Sequence, residues 1–474
     1  MIFFMLVHLL SILFISTRLL AYDTTLVRKI GPGCIHYNIT IDSLPVELKI
    51  IEMDLTIPTN KLEIAIANDR FNLGGERTSN LVNRKLSLGK FIIGAVNGDF
   101  FGGNPRQAEN SMIINGEYIK GVKLNRSMFA ITENNIPHIG DFQFEGRVIV
   151  GVDTLLVDAL NYQSGEEQVL LFNKYFPPEF IRDSSYNVFK ISPLDSILIN
   201  EQNEFKIIEK NIALNDSDLS NKDFILLIKE TVDVNLSQKF NDGINIKVYL
   251  GTKNPVKNLY SLIGGLPRLV TNGTRPESFV GIERLTSKRF IDINPRTAIG
   301  FNFDKTKLYL VAVDGRQAGY SIGMSLYDLA DFLISFGCYN ALNLDGGGST
   351  TLTVRDEVVN KPSDKTGERE VYNSVLLISA DTKENLIGSI NIIPDTVDLN
   401  SVNTTIPDFI IHDKWGFNFR ISTEYINWQF TNSLLLVDKL FKIVPNKSES
   451  WFITGSYDAF EDTIWIKNSR AGIK

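Results

Sequence analysis

The sequence predicts a mixed α+β (α/β) domain followed by a small C-terminal β-rich unit, and three observations predict it. Short apolar runs with period-two alternation recur along the first half of the 474 residues, most of them closed by Gly, Asn or Pro turns. One stretch, MSLYDLADFLISFG, breaks that pattern with apolar residues at helical spacing between two strand-like runs. From about Glu384 onward the chain has no Gly-rich loop, carries all four tryptophans and reads as short aromatic strands such as FNFRIST and TIWIK.

The opening run, MIFFMLVHLLSILFISTRLLA, resembles a secretory signal peptide spanning residues 1–21, with a small-residue cleavage site at Ala21. The mature chain then starts near Tyr22 and is secreted or held in the cell envelope. No Lys or Arg precedes the apolar run, which keeps an uncleaved N-terminal anchor as the alternative. No later stretch is apolar enough to span a membrane. Strands follow at VELKIIEMDL and LEIAIAND, then at FIIGAVNGDFF, SMIINGEYI, SMFAIT, RVIVGV and QVLLF. The more polar segment from Asp183 to Lys239 reads as connecting hairpins or an insertion, and strand character returns at INIKVYLG. A strand at 308–313, a polar loop at 314–324, a helix at 325–336 and a strand at 341–344 come next. Ser325 is the expected N-cap and Gly337 the expected C′ residue. The two strands can lie side by side, which puts DGRQ and DGGGS at neighbouring strand ends, a usual place for a ligand cleft.

Composition narrows the partners. The net charge of -7, with no basic cluster, argues against nucleic acid and favours a small or glycan-like ligand. Two cysteines, Cys34 and Cys338, are too few for a disulfide framework and are expected to stay unpaired. Four histidines without ligand spacing and no Cys cluster argue against zinc. No cofactor is called for, and only calcium held by Asp and backbone carbonyls stays open.

Three kinds of residue carry chemistry. Gly346, Gly347 and Gly348, with Ser349 and Thr350 behind them, can present backbone N–H groups and hydroxyls to an anion, or simply make a tight turn. Asp99, Asp314 and Asp345 each closely follow an apolar run and sit beside glycines. Carboxylates so placed serve as turn formers, or as the acid, base or nucleophile of glycoside hydrolysis. Arg296 and Arg316 have no evident helical partner, so their planar forks are free for phosphate oxygens or for a salt bridge to one of the aspartates. The string GYSIG matches a nucleophile elbow formally, but a polar stretch separates its Ser321 from the preceding strand, which reads as a loop serine.

Read in order, AVNGDFF (95–101), IGGLPRLV (263–270), PRTAIGFN (295–302), LYLVAVDGRQAGYSIGMSLYDLADFL (308–333), NLDGGGSTTL (343–352) and PSDKTGEREVYNSVLLI (362–378) resemble the phosphodiester glycosidase family. The resemblance spans about 45–380 and implies a mixed α/β catalytic domain there, with 385–474 as an accessory β-rich region. It implies a hydrolase that cleaves between a sugar's anomeric carbon and a phosphodiester oxygen. Catalytic roles then fall to Asp345 or Asp314, with Asn97 and Asp99 from the first motif. Arg296, Arg316, Gly346, Gly347, Gly348 and Ser349 hold substrate or its phosphate, joined by Arg369 and Asn373 from the last motif. Two other functions stay open at this stage: a glycosidase acting on exported or cell-wall polysaccharide, and a non-catalytic glycan-binding protein on the same scaffold.

Overall fold

A computed structural model describes residues 22–467 except 42–43, 72–73, 89, 104–105, 183, 214–221, 233–238, 287, 382, 394–395, 399–407, 421–425, 431–433, 438–439, 444–450 and 458. The signal-like segment 1–21 lies outside the described residues.

The expected mixed α+β class is corrected to a β-rich fold. Among the described residues only two helices exceed a single turn, Thr78–Ser87 and Leu326–Ser335, while strands fill most of the rest. Nearly every strand pair is antiparallel, so the βα alternation of a mixed α/β domain is absent from the sheets. The physical reason for the difference lies in half-exposed strands. Glu201–Lys210 alternates exposed and buried residues along its length, and its outward Glu and Lys dilute the apolar signal. Together with Tyr186–Pro193 and Phe224–Lys229 it belongs to an eight-stranded sheet, so the segment expected to be connecting hairpins is part of the framework. Two strands also precede the expected start at 45: Asp23–Gly31 and Cys34–Ile41 form one edge of a seven-stranded sheet.

That seven-stranded sheet positions the site. Successive side chains of a strand point to opposite faces. Leu48 and Ile50 therefore pack under Leu326, Leu329, Phe332 and Leu333 of the long helix, while Ile51 and Met53 face Ile64, Ile93 and Val96 of a five-stranded sheet. Each large apolar side chain so buried contributes roughly 1.5–3 kcal/mol. On the far side of the second sheet, Leu81 and Val82 of Thr78–Ser87 cover Ala65, Ile92 and Ala95. The layers run helix, sheet, sheet, helix. The helix 326–335 begins where the sequence places it, with the Ser325 hydroxyl accepting from the Asp328 amide at 3.1 Å, and Gly337 takes φ +103° beyond its end. The eight-stranded sheet packs on the other five-stranded sheet through a separate core that includes Ile113, Met128, Phe144, Val148 and Leu262.

Cys34 and Cys338 are buried and unpaired, in different cores. Past residue 386 the described strands form small sheets of their own. The first of these is fastened to the rest by Arg355, whose Nη2 donates to Asp413 Oδ2 at 2.6 Å while its guanidinium lies 4.3 Å from the Phe91 ring centre and 5.0 Å from that of Phe417.

Candidate active site

Strand Arg296–Phe301 runs between Lys307–Val313 and Asn340–Asn343, antiparallel to both. The strands that lead into DGRQ and DGGGS are thus parallel to one another but not neighbours, contrary to the expectation of adjacent strand ends. The strand carrying PRT separates them. All three still open at one end of the sheet, because Arg296 lies opposite Val313 and Ala298 opposite Asn343.

A cleft of about 520 Å³ forms at that end. It is lined by Asp345, Gly346, Gly347, Gly348, Arg296, Arg316 and Arg369. Asn97, Asp99, Asp314, Ser349 and Asn373 are buried and do not line it.

Asp345 is held by its backbone. Its carbonyl accepts from Asn97 Nδ2 at 2.6 Å and its amide donates to the Gly98 carbonyl at 3.0 Å. Asn97 Oδ1 in turn accepts from Thr297 Oγ1 at 2.8 Å and from the Thr351 amide at 3.1 Å, so a buried asparagine ties three strand ends to an acid facing the cleft. Burial pushes the Asp345 carboxyl up to about 7, with the Asp99 charge adding to the rise and the Ser349 hydroxyl and Arg369 opposing it. Asp99 sits behind it, accepting from the Asn110 amide and Nδ2 at 2.9 and 2.8 Å, and its own amide donates to Asn373 Oδ1 at 2.8 Å. Burial raises Asp99 to about 6, against the Asn110 bonds and the charge of the equally buried Lys120.

Asp314 does different work. Its Oδ1 accepts from Asn360 Nδ2 at 2.9 Å and from the Lys361 amide at 2.8 Å, and its Oδ2 accepts from the Tyr320 hydroxyl at 2.9 Å. Those bonds fasten the loops 314–321 and 360–361 together. Ser321, in GYSIG, is fully buried, donates to the Asp314 carbonyl at 2.6 Å and accepts from the Glu47 amide at 3.1 Å. It has the bonds of a loop serine and not of a nucleophile. Fluorophosphonate inhibitors should therefore leave the protein unlabelled at Ser321, which intact-mass spectrometry after incubation checks.

The arginines are uncompensated. Arg296 donates from Nε to the Met324 carbonyl at 3.0 Å and from Nη2 to the carbonyls of Ile291, at 3.2 Å, and Asp292. Arg316, at φ +60°, donates from Nη2 to Asn294 Oδ1 at 2.9 Å. Among the described residues neither forms an ion pair, so the salt-bridge alternative for both falls away. Burial, and next the charge of Arg316, press Arg296 down to about 10. With Arg126 and Arg369, the two guanidiniums outnumber the carboxyls of Asp345 and Glu283 in the lining and make a cleft that attracts an anion.

The glycines prove to be spacers. A Cβ on Gly346 would stand 2.7 Å from the Pro295 carbonyl oxygen, one on Gly347 3.1 Å from Arg316 Nη2, and one on Gly348 would collide with Arg369 Nη2. The amide of Gly347 donates to the Pro295 carbonyl at 2.9 Å, and those of Ser349 and Thr350 close the turn onto Gly346 and Gly347 at 3.3 Å. The run gives the arginines room at the cleft wall, with the Gly347 amide bonded to Pro295.

Sequence reasoning missed several lining residues. Phe100 and Phe290 stand with ring centres 5.4 Å apart, and Glu283 reaches the wall at φ +49° while accepting from the Ser127 amide and hydroxyl at 2.9 and 2.7 Å. Phe100 follows Asp99 directly, Asn294 immediately precedes PRT and Phe290 lies five residues before it, so proximity to the motifs was the available signal. Glu283 carries none. Among the described residues no three His, Cys, Asp or Glu side chains converge to hold a metal ion.

The raised Asp345 carboxyl has a consequence for stability. Its folded value, about 7, lies above the unfolded value near 4. Below about pH 4 both states hold the proton. Between about pH 4 and 7 the unfolded chain releases it and the folded protein keeps it, so stability falls as pH rises. Asp345→Asn removes that loss, so at about pH 8 the variant should be more stable, by up to about 4 kcal/mol for a folded value about three above the unfolded one, a gap that closes towards about pH 4. Melting temperatures across pH check it.

Residues 195–378 match the family described as phosphodiester glycosidase. Among individual relatives, the N-acetylglucosamine-1-phosphodiester alpha-N-acetylglucosaminidase of Bos taurus is 34% identical over 123 residues, 24% of this chain and 22% of that protein. The SPbeta prophage-derived protein YomE of Bacillus subtilis is 40% identical over 84 residues, 18% of this chain and 13% of its own. The chain thus spans less than a quarter of the length of these curated relatives. A crystal structure of a hypothetical protein from Synechocystis shares the fold at TM-score 0.58 and 18% identity, over 73% of this chain and 62% of that one.

Proposed function

We propose that this protein is an exported hydrolase that cleaves the bond between a sugar's anomeric carbon and a phosphodiester oxygen, with its catalytic domain running from the strand at Asp23–Gly31 to about 380 and 385–474 as an accessory region. The observation that carries the reading is the placement of two ion-pair-free guanidiniums, Arg296 and Arg316, in the same cleft as the raised carboxyl of Asp345. The guanidiniums hold the phosphate, and Phe100 and Phe290 offer an apolar wall to the sugar ring. Water attacks the anomeric carbon, its proton passes to the Asp345 carboxylate, and the carbon–oxygen bond breaks with its electron pair leaving on the phosphate monoester. That leaving group is stable as an anion, so neutralising it matters more than protonating it. Asn97 positions the acid, and Asp99, behind it, adds to the rise in proton affinity that burial causes. Asn373 holds Asp99, and Asp314 fixes the loop that presents Arg316.

A second reading rests on the same acid. A carboxyl held near 7 is also suited to protonate the alcohol leaving group of an ordinary glycoside, as in exported or cell-wall polysaccharide. The test is release of free sugar from α-linked sugar-1-phosphodiesters beside matched phosphate-free glycosides. Cleavage of the phosphodiesters alone is the expected result; cleavage of the plain glycosides moves the assignment to the second reading.

A further inference from the structure

Loop 361–370 borders the cleft and is anchored at both ends. The Lys361 amide donates to Asp314 Oδ1 and the Lys361 carbonyl accepts from Gln317 Nε2, both at 2.8 Å. At the other end Glu368 accepts from the Ser79 amide at 3.1 Å and from its hydroxyl, and Glu76 and Val371 exchange backbone bonds at 2.9 and 3.0 Å. Between the anchors, Arg369 folds back on its own loop. Its Nε donates to Asp364 Oδ2 at 2.8 Å and its Nη2 to Asp364 Oδ1 at 2.9 Å, a fork-on-fork pair. The pair rests on Gly348, where a Cβ would collide with Asp364 Oδ1.

Two features separate this pair from an ordinary structural bridge. Arg369 lines the cleft with Arg316 and Asp345, so the fork that Asp364 fills stands at the edge of the anion-attracting space. The two side chains are also 42% and 26% exposed, and pairs so open to water contribute little to stability and exchange readily. A carboxylate and a phosphate offer a guanidinium the same two-oxygen edge.

We propose that Asp364 is a built-in competitor for Arg369. In the empty cleft its carboxylate holds the fork that a pair of phosphate oxygens takes on binding, and it takes the fork back when the phosphate monoester leaves. The exchange sets the affinity for phosphate-bearing ligands and opposes product retention. This rests on the reading that the cleft receives a phosphate, but not on turnover.

The probe is inorganic phosphate, with a sugar-1-phosphate alongside, titrated calorimetrically into the full chain and into Asp364→Asn, Arg369→Met and the double variant. Asp364→Asn should bind phosphate about tenfold more tightly and Arg369→Met about tenfold more weakly, on the scale of one bidentate charge-assisted pair. In the double variant the gain should vanish, because the fork it frees is gone. An unchanged or weaker affinity in Asp364→Asn overturns the proposal, as does a gain that survives in the double variant, which would mean that Asp364 acts only through the general field. Should the Asn variant melt early, Asp364→Ser in the same titration decides by the same criteria. Tighter phosphate binding without hydrolysis of any phosphodiester supports this exchange while removing the proposed function. Hydrolysis with no change in phosphate affinity does the reverse.

Discussion

Asp345→Asn should lower turnover of a sugar-1-phosphodiester by about 10³-fold or more, within the 10²–10⁴ range for a positioned acid–base group. Ligand affinity should change little, since the amide keeps the shape and loses only the charge and the titration. The backbone supports this separation: Asn97 and Gly98 bond the carbonyl and amide of residue 345, so the side chain can change without moving its anchor. The pH dependence gives the sign. If Asp345 accepts the proton of water, it must start ionised, so kcat/KM of the free enzyme should climb with pH through about 7, the value to which burial and Asp99 bring it. A profile that falls through about 7 instead would make Asp345 the acid and favour the plain-glycoside chemistry.

Arg316→Ala comes second in expected effect, a loss on the order of 3–4 kcal/mol of transition-state stabilisation, or about 10²–10³ in kcat/KM. Arg316 is the more exposed of the two uncompensated guanidiniums and is placed by Asn294 Oδ1 and by the bare backbone of Gly347. Because its bonds to the fold are few, truncation should cost little stability. Arg296, by contrast, binds three backbone carbonyls around 291–292 and 324, so its replacement would mix folding loss with lost phosphate contact. Arg316→Lys should recover only part of the activity, since an ammonium carries the charge without the fork.

What the sequence revealed depended on which physics carried each feature. Helix 326–335 was legible because its cap, period and C′ glycine agree locally. Asp345 and the two arginines were legible because charged residues at apolar strand ends stand out. Strand 201–210 was not, because its solvated face hides a β pattern behind charged residues, and its sheet neighbours 186–193 and 224–229 were read with it as connecting segments. The β-rich class was lost with them. The roles within the site divide along the same line. Asp314 and Asp345 look alike in sequence, as an acid followed by glycine, and only long-range partners separate the acid that faces the cleft from the one that ties loops. The DGGGS glycines read as an anion cradle or a tight turn, while packing shows them as clearances for Pro295, Arg316 and Arg369. Asp364 carries no signal in sequence, because only the folded loop brings Arg369 back onto it.

The central claim is that the cleft works on sugars through their phosphate. Its most direct test is the ratio of kcat/KM for a sugar-1-phosphodiester to that for the matched phosphate-free glycoside, measured in the parent protein and in Arg316→Ala. A large ratio in the parent that collapses in the variant, with glycoside turnover barely moved, is the predicted result. A ratio near one, or a large ratio that survives without Arg316, would contradict it.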